Sequence, residues 1–354
     1  MKLIRRYLFR AVFVPAAITS LLLVGLDGLF LFVDELRDLD GSYQAIQALQ
    51  YVLTIMPGRF AEFLPVAILL GALFGLGLLA NSGELVVIRA SGPSLSKLCW
   101  MVLRPVIVLL ALGMLVGEYV APYAQQVGES NRTIQQGGGE IMRSSYGYWL
   151  RQDNDFIHVN AVQPNGAMYG ITRLRFDDNH ELIESQFIQR AIYQGDGEWS
   201  LHELQGSLID NDSVKTYREP QGSWLSELTP EKLTVIIVDP DDLSLQKQWE
   251  YAGYLKKQGL TAAEYLLSFW QKLFMPMATI GMVLIAISFI FGPLREVSMG
   301  ARMTAGIVAG LLFHYGQQFF GNLSLVFHTS PFVAAIAPAL VCIMIGIWLL
   351  RRVR

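Results

Sequence analysis

AVFVPAAITSLLLVGLDGLFLFV, the stretch from Ala11 to Val33, carries one charge, Asp27, and is long enough for the roughly 20 apolar residues that cross a hydrocarbon core. Five further runs follow the same rule: Ala61 to Ala80, Val102 to Val120, Phe274 to Phe291, Ala305 to Phe320 and Pro331 to Leu350. The fifth is the weakest, because His314, Gln317 and Gln318 interrupt it. Lys and Arg set the orientation. Lys2, Arg5, Arg6 and Arg10 precede the first run, Arg89, Lys97 and Arg104 follow the second, and Arg351, Arg352 and Arg354 close the chain. The intervening segments 34–58 and 321–330 hold only Arg37. Both termini are therefore expected in the cytoplasm, and the long segment between the third and fourth runs outside. Asp34-Glu35 stands where a secretory signal would carry small residues for cleavage, so the first run is expected to stay as an anchor.

Composition agrees with this plan. Charged residues make up 16% of the 354 residues and mean hydropathy is +0.38, against roughly 25% charged in an average soluble domain. The net charge of −3 gives no reason to expect nucleic acid as a partner. Cys99 and Cys342 both sit in or beside apolar runs, which suits neither a disulfide nor a metal centre.

Between about Tyr146 and Val238 the pattern changes to short alternating runs, such as Phe156-Ile-His-Val159, Ile171-Thr-Arg-Leu-Arg-Phe176, Glu198-Trp-Ser-Leu201 and Val214-Lys-Thr-Tyr217. Period-two alternation between turns such as Pro164-Asn-Gly166 and Gly195-Asp-Gly197 predicts antiparallel strands, in a sandwich or jelly roll. Thr261 with Glu264 fits a capping box that opens a helix running into the fourth span. The predicted fold is thus α+β: residues 1–124 hold three spans and a cytoplasmic helix at about 83–92, residues 125–266 form an external jelly-roll-like β domain with a helical connector, and residues 267–354 hold three more spans.

Motifs for catalysis are missing. His180-Glu181 and His202-Glu203 begin like a zinc-protease motif, but Glu184 and Gly206 stand where the second His belongs. Gly92-Pro-Ser-Leu-Ser-Lys97 lacks the second Gly of a phosphate loop and the Ser or Thr after Lys, and no G-x-S-x-G elbow occurs. Gly137-Gly-Gly139 reads as a hinge or turn. No metal or cofactor is expected in this chain.

The polar residues within the spans are more informative. A carboxylate at mid-helix costs roughly 2.5–3.5 kcal/mol on insertion, so Asp27 should face protein or water, lining a cavity or bonding a neighbouring helix. His314, Gln317 and Gln318 form one stripe at i, i+3, i+4, suited to a helix interface or to substrate. Gly71, Gly75 and Gly77, and Gly306 with Gly310, permit close helix approach. Glu84-Leu-Val-Val-Ile-Arg-Ala-Ser-Gly92 is short and helical, with a Gly stop. Its Leu85, Val86 and Ile88 are expected to stay exposed unless something covers them: a soluble motor's groove, or lipid.

Several of these segments resemble the LptF/LptG permeases of the lipopolysaccharide export ABC transporter, the LptG branch matching better. They are Gly25-Leu-Asp-Gly-Leu-Phe-Leu-Phe-Val-Asp-Glu-Leu36, Leu69 to Gly92, Gly117-Glu-Tyr-Val-Ala-Pro122, and Gly292-Pro-Leu-Arg295 with Met299 to Gly306. The resemblance runs along nearly the whole chain, and Glu84 to Gly92 is its most specific part. It implies an inner-membrane, Gram-negative protein of outer-membrane biogenesis. The expected partners are a second homologous (LptF-like) permease, a dimeric cytoplasmic (LptB-like) ATPase holding ATP and Mg, and a bitopic periplasmic (LptC-like) bridge protein. It also implies that Glu84, Leu85, Val86, Val87, Ile88, Arg89, Ala90, Ser91 and Gly92 couple that ATPase to the helices, and that the first and fifth helices gate a lipid cavity.

For the lipid, apolar walls are expected from Leu22, Leu26, Phe30, Phe63, Leu70, Phe313 and Phe320, beside Asp27, and phosphate contacts from Arg37 and Arg59. Family members can carry several Lys at this rim, where this chain has Leu31, Asp38 and Asp40. Three other readings stay open: a permease for another lipid or a lipoprotein, a membrane-tethered periplasmic scaffold, and a membrane-anchored hydrolase.

Overall fold

A computed structural model describes residues 2–39, 43–136, 148–152, 154–162, 166–177, 180–210, 213–226, 228–230, 233, 239–257, 261–291 and 298–352. The helices are α1 (Lys2–Glu35), α2 (Ala45–Asn81), α3 (Glu84–Ala90), α4 (Leu95–Leu115), α5 (Ala121–Gln136), α6 (Leu245–Lys257), α7 (Ala263–Phe291), α8 (Met299–Val326) and α9 (Pro331–Arg352). Among the described residues, five helical stretches are long and apolar enough to cross a membrane: Lys2–Asp38, Ala45–Asn81, Leu95–Gln136, Ala263–Phe291 and Pro331–Arg352. α8, expected as the fifth of six spans, has ample length at 28 residues but lower hydropathy. Arg302, His314, Gln317 and Gln318 dilute its apolar run.

The chain divides into two compact units. One comprises Met1–Gly28, Met56–Ala121 and Leu243–Arg354; the other comprises Leu29–Ile55 and Pro122–Asp242. In the first, one hydrophobic cluster joins Leu8, Val12 and Ala16 of α1, Leu64 to Leu79 of α2, Leu85 and Ile88 of α3, Leu98 to Leu110 of α4, and Met282 to Ile290 of α7. Without a hydrophobic drive between helices in lipid, such packing rests on close fit. Gly71 and Gly75 supply it. A Cβ on Gly71 would meet the backbone and Cβ of Ala16, and one on Gly75 would meet the Ala11 carbonyl and Pro15. Gly306 and Gly310 seat α8 against Leu69, Leu70 and Leu73 of α2. Gly281 and Gly346 do the same between α7 and α9.

In the second unit six antiparallel strands pair in sequence order: β1 (Tyr148–Gln152), β2 (Asp155–Val162), β3 (Met168–Phe176), β4 (Leu182–Gly195), β5 (Glu198–Asp210) and β6 (Ser213–Leu225). The four runs quoted for their alternation fall in β2, β3, β5 and β6. Gly195-Asp-Gly197 is the β4–β5 turn, all three residues having positive φ. The described strands form a meander without the crossovers of a jelly roll. Its core contains Ile157, Val159, Ile171, Ile188, Trp199 and Leu204. Glu35 is buried in the same unit, where it accepts hydrogen bonds from Arg132 of α5 and, at 3.0 Å, from Tyr43.

One expectation needs correction. α7 begins at Ala263, so Thr261 stands one residue too early to cap it, and no side-chain bond joins Thr261 to Glu264 among the described residues. The helix does run unbroken to Phe291. The helix before it, α6, packs back on α7, with Gln248 Nε2 donating to Ser268 Oγ at 2.9 Å. Gly137-Gly-Gly139 and Gly292 to Arg295 lie outside the described residues.

Gly71→Ala is expected to lower the thermal midpoint of the detergent-solubilised protein, by the ~1–3 kcal/mol typical of overpacking. Gly316→Ala, whose methyl meets nothing within 4 Å, serves as the comparison and should not. Equal midpoints would mean that α1 and α2 are not close-packed. A second expectation concerns β6. Tyr217 lies across from Gly206, donates to Glu184 Oε1 at 2.6 Å and accepts from Gln186 Nε2 at 3.2 Å. Burial, then the bond to Glu184, pushes its phenol up to about 12. The folded state thus holds this proton more tightly than the unfolded chain. Its contribution is complete below about pH 10 and is lost as pH rises through about 12. Over that window Tyr217→Phe should lose less thermal stability than the parent, and parallel losses would contradict the assignment.

Candidate functional site

α3 starts and stops at glycines in left-handed conformations, Gly83 (φ 76°) and Gly92 (φ 96°), which a Cβ would strain. Within those stops the helical period divides its apolar residues. Leu85 and Ile88, three apart, are buried in the cluster shared by α1, α2, α4 and α7. The expectation that they stay exposed is thus corrected: the neighbouring spans of this chain cover them. Val86 and Val87 instead point outward, 51% and 69% exposed, flanked by exposed Arg89 and Ala90. Ser91 ends the turn by donating to the Ile88 carbonyl at 2.6 Å. Glu84 is gripped from within the chain, accepting from the Tyr7 hydroxyl of α1 and, at 3.1 Å, from Ser82 Oγ. α3 is therefore a knob with an anchored inner face, an apolar outer pair and a carboxylate tied to the start of α1.

A second polar fixture lies at the same end of α2. The Arg302 side chain of α8 is 1% exposed and donates to the Gly77 carbonyl at 3.1 Å and to Asn81 Oδ1 at 2.9 Å. It places a cation on the carbonyl-rich C-terminal turn of α2, where the helix dipole favours it. Glu118, in the π-helical turn Val116–Val120 after α4, accepts from the Leu245 and Gln246 amides at 2.8 and 3.3 Å and so caps α6. Sequence reasoning missed these three contacts. A charge inside an apolar run was a usable signal for Glu118, since it must find a partner. Tyr7 carried none.

The residues chosen for lipid contact fall into different settings. Leu22 and Leu26 lie one turn apart on α1 and are exposed, 67% and 57%. Asp27 faces Arg59 Nε at 3.6 Å rather than lipid, and Arg59 also reaches Glu62 Oε2 at 3.0 Å. Phe63 is half-buried one turn beyond Arg59, and Phe313 is half-buried against the core cluster. Phe320 is exposed and stacks edge-on with Phe319. Leu70 is buried at the α2–α8 contact. Phe30 and Arg37 belong to the second unit, both exposed, with Arg37 3.3 Å from Asp34. Both arginines thus have a carboxylate at hand, which would compete with a phosphate for them. The His314–Gln318 stripe lies on an exposed face of α8, Gln318 Nε2 standing 3.3 Å from His314 Nε2.

Together the fold and these fixtures define a class: a multi-pass membrane protein with a short outward-facing helix between two spans and an antiparallel β domain between two others. Residues 6–352 match the family model described as "Lipopolysaccharide export system permease LptF/LptG", and the chain belongs to that family. It is 37% identical over 350 residues to the lipopolysaccharide export system permease protein LptG of Escherichia coli (strain K12), covering 98% of this chain and 97% of the relative. It is 32% identical over 351 residues to the protein of the same name from Haemophilus influenzae, covering 99% and 98%.

The Asp27–Arg59 pair yields an expectation. Arg59→Ala leaves the carboxylate without its cation and should destabilise the solubilised protein more than Asp27→Asn with Arg59→Gln, which removes both charges. Melting curves in one detergent make the comparison, and the reverse order would show that Asp27 is stabilised by something other than Arg59.

Proposed function

We propose that this chain is the permease subunit of an ABC transporter that extracts lipopolysaccharide from the inner membrane and passes it to a periplasmic bridge. It is not an enzyme itself, and ATP hydrolysis with Mg occurs in a separate cytoplasmic ATPase. The observation that carries this reading is the division of α3. Val86 and Val87 face out while Leu85 and Ile88 are seated among the spans. A helix loaded on its outer face transmits displacement to α1, α2, α4 and α7 directly. The family membership of nearly the whole chain supports lipopolysaccharide as the cargo.

In this reading Leu22 and Leu26 of α1 and Phe320 of α8 offer apolar surface to acyl chains, with Phe63 and Phe313 behind them. Phe30 and Arg37 take part further along the chain. A second, LptF-like permease faces these helices and covers the exposed side of α8, including His314 and Gln318. An LptC-like protein receives the lipid at the periplasmic β domain, and both termini lie in the cytoplasm. The three domains run 1–124, 125–266 and 267–354.

In the purified complex, Val86→Asp with Val87→Asp should lower ATP hydrolysis about tenfold or more, since a charge now replaces the centre of an apolar contact. Glu84→Ala should lower it less, by releasing Tyr7. The melting temperature of the isolated chain should stay near that of the parent. Unchanged hydrolysis in the double variant would remove α3 as the coupling element and favour a scaffold.

A further inference from the structure

The start of α1 and one face of α4 line an open cleft of about 410 Å³, its lining mainly Lys2, Arg5, Lys97, Trp100, Met101 and Arg104. Its size falls within the roughly 300–1,000 Å³ of small-molecule sites. Lys97, Trp100, Met101 and Arg104 are spaced i, i+3, i+4, i+7 and so share one stripe of α4. Met101 packs against the helical core and closes the floor. Trp100 is 53% exposed and stands as a wall, with the Arg104 guanidinium 6.0 Å from its ring centroid. Among the described residues none of the four cations has a carboxylate within ion-pair distance. A preference for Lys and Arg at one membrane face accounts for cations at this end of the spans. It does not account for their convergence on one aromatic-walled cleft, where a bound anion relieves their mutual repulsion.

The geometry points to a site for the phosphate headgroup of an anionic phospholipid of the surrounding bilayer. The next turns of α4 favour a membrane lipid over a soluble phosphate. Past Arg104 the exposed residues Ile107, Val108, Leu112 and Leu115 continue the stripe. At 1.5 Å per residue they extend about 17 Å from Arg104, about one leaflet of a ~30 Å core. A headgroup held by Lys97 and Arg104 therefore lays its acyl chains along an apolar track of matching length. Trp100 stands between the two cations, beside the headgroup position, and an amphipathic ring is favoured at that interfacial depth. The site is also apart from the proposed cargo surface. Arg5 and Asp27 are separated by about 33 Å along α1. A lipid held here is a resident of the protein, whether or not the chain transports lipopolysaccharide.

The test uses the full-length chain, purified with the subunits that accompany it, in detergent containing equal amounts of dioleoylphosphatidylglycerol and dioleoylphosphatidylcholine. Native mass spectrometry then counts the lipids retained. The parent should keep phosphatidylglycerol in preference. Lys97→Gln with Arg104→Gln should lower that retention by about fivefold per cation lost. Arg104→Lys, which keeps the charge, should restore most of it and shows that the chain still folds. Arg351→Gln with Arg352→Gln, the same charge change elsewhere, should leave it intact. Equal losses in the two double variants would reduce the effect to net charge and overturn the proposal. Displacement of the lipid by excess inorganic phosphate would overturn it as well, since the acyl track would then contribute nothing.

Discussion

The burial of Leu85 and Ile88 among the spans is the contact on which the rest of the molecule's mechanics depends. A helix as short as α3 has little stability of its own, because so few residues follow the costly first turn. It is helical because two side chains on one face sit in a core already built by α1, α2, α4 and α7, between two left-handed glycines. In the proposed function the same seating makes the helix a lever. Its outer valines are free to meet another surface, and any displacement passes through close-packed side chains rather than through a flexible loop. The Tyr7–Glu84 bond adds a direct tie to α1.

That core exists only because the helices approach closely. Gly71 and Gly75 let α2 touch the backbone of α1 near Ala11, Pro15 and Ala16, and Gly306 and Gly310 let α8 rest on Leu69 to Leu73. Lipid offers no water to satisfy stray polar groups, so charges set among the packed helices find partners there. Asp27 faces Arg59, Arg302 holds the Gly77 carbonyl and the Asn81 side chain near the end of α2, and Glu118 caps α6. These pairings join elements distant in sequence, and each fixes a helix end or a helix face.

Much of this was legible from the sequence. Apolar length located five of the stretches, and alternation located the strands, because both signals are periodic and local. Asp27 is expected from its place in a span to face protein or water, and it stands across from Arg59. α8 was harder to read because polar residues that an oligomer could cover look the same as residues that break a span. The exposure of Leu85 and Ile88 was misjudged for a related reason. A short amphipathic run does not say which of its apolar residues face the protein's own spans. Tyr7 and Arg302 lie far in sequence from their partners, and no local pattern links them. Strand spacing predicts the antiparallel strands of the β domain but carries no information about their order, and the described strands pair consecutively.

Whether this chain is one permease of a larger transporter is decided by the composition of the assembly that it enters. A C-terminally tagged chain, extracted gently from native membranes, can be weighed intact by native mass spectrometry. A second permease of similar size, two soluble ATPase subunits and a bound lipopolysaccharide mass are the expected result. A lone chain, or one accompanied only by periplasmic proteins, would contradict it.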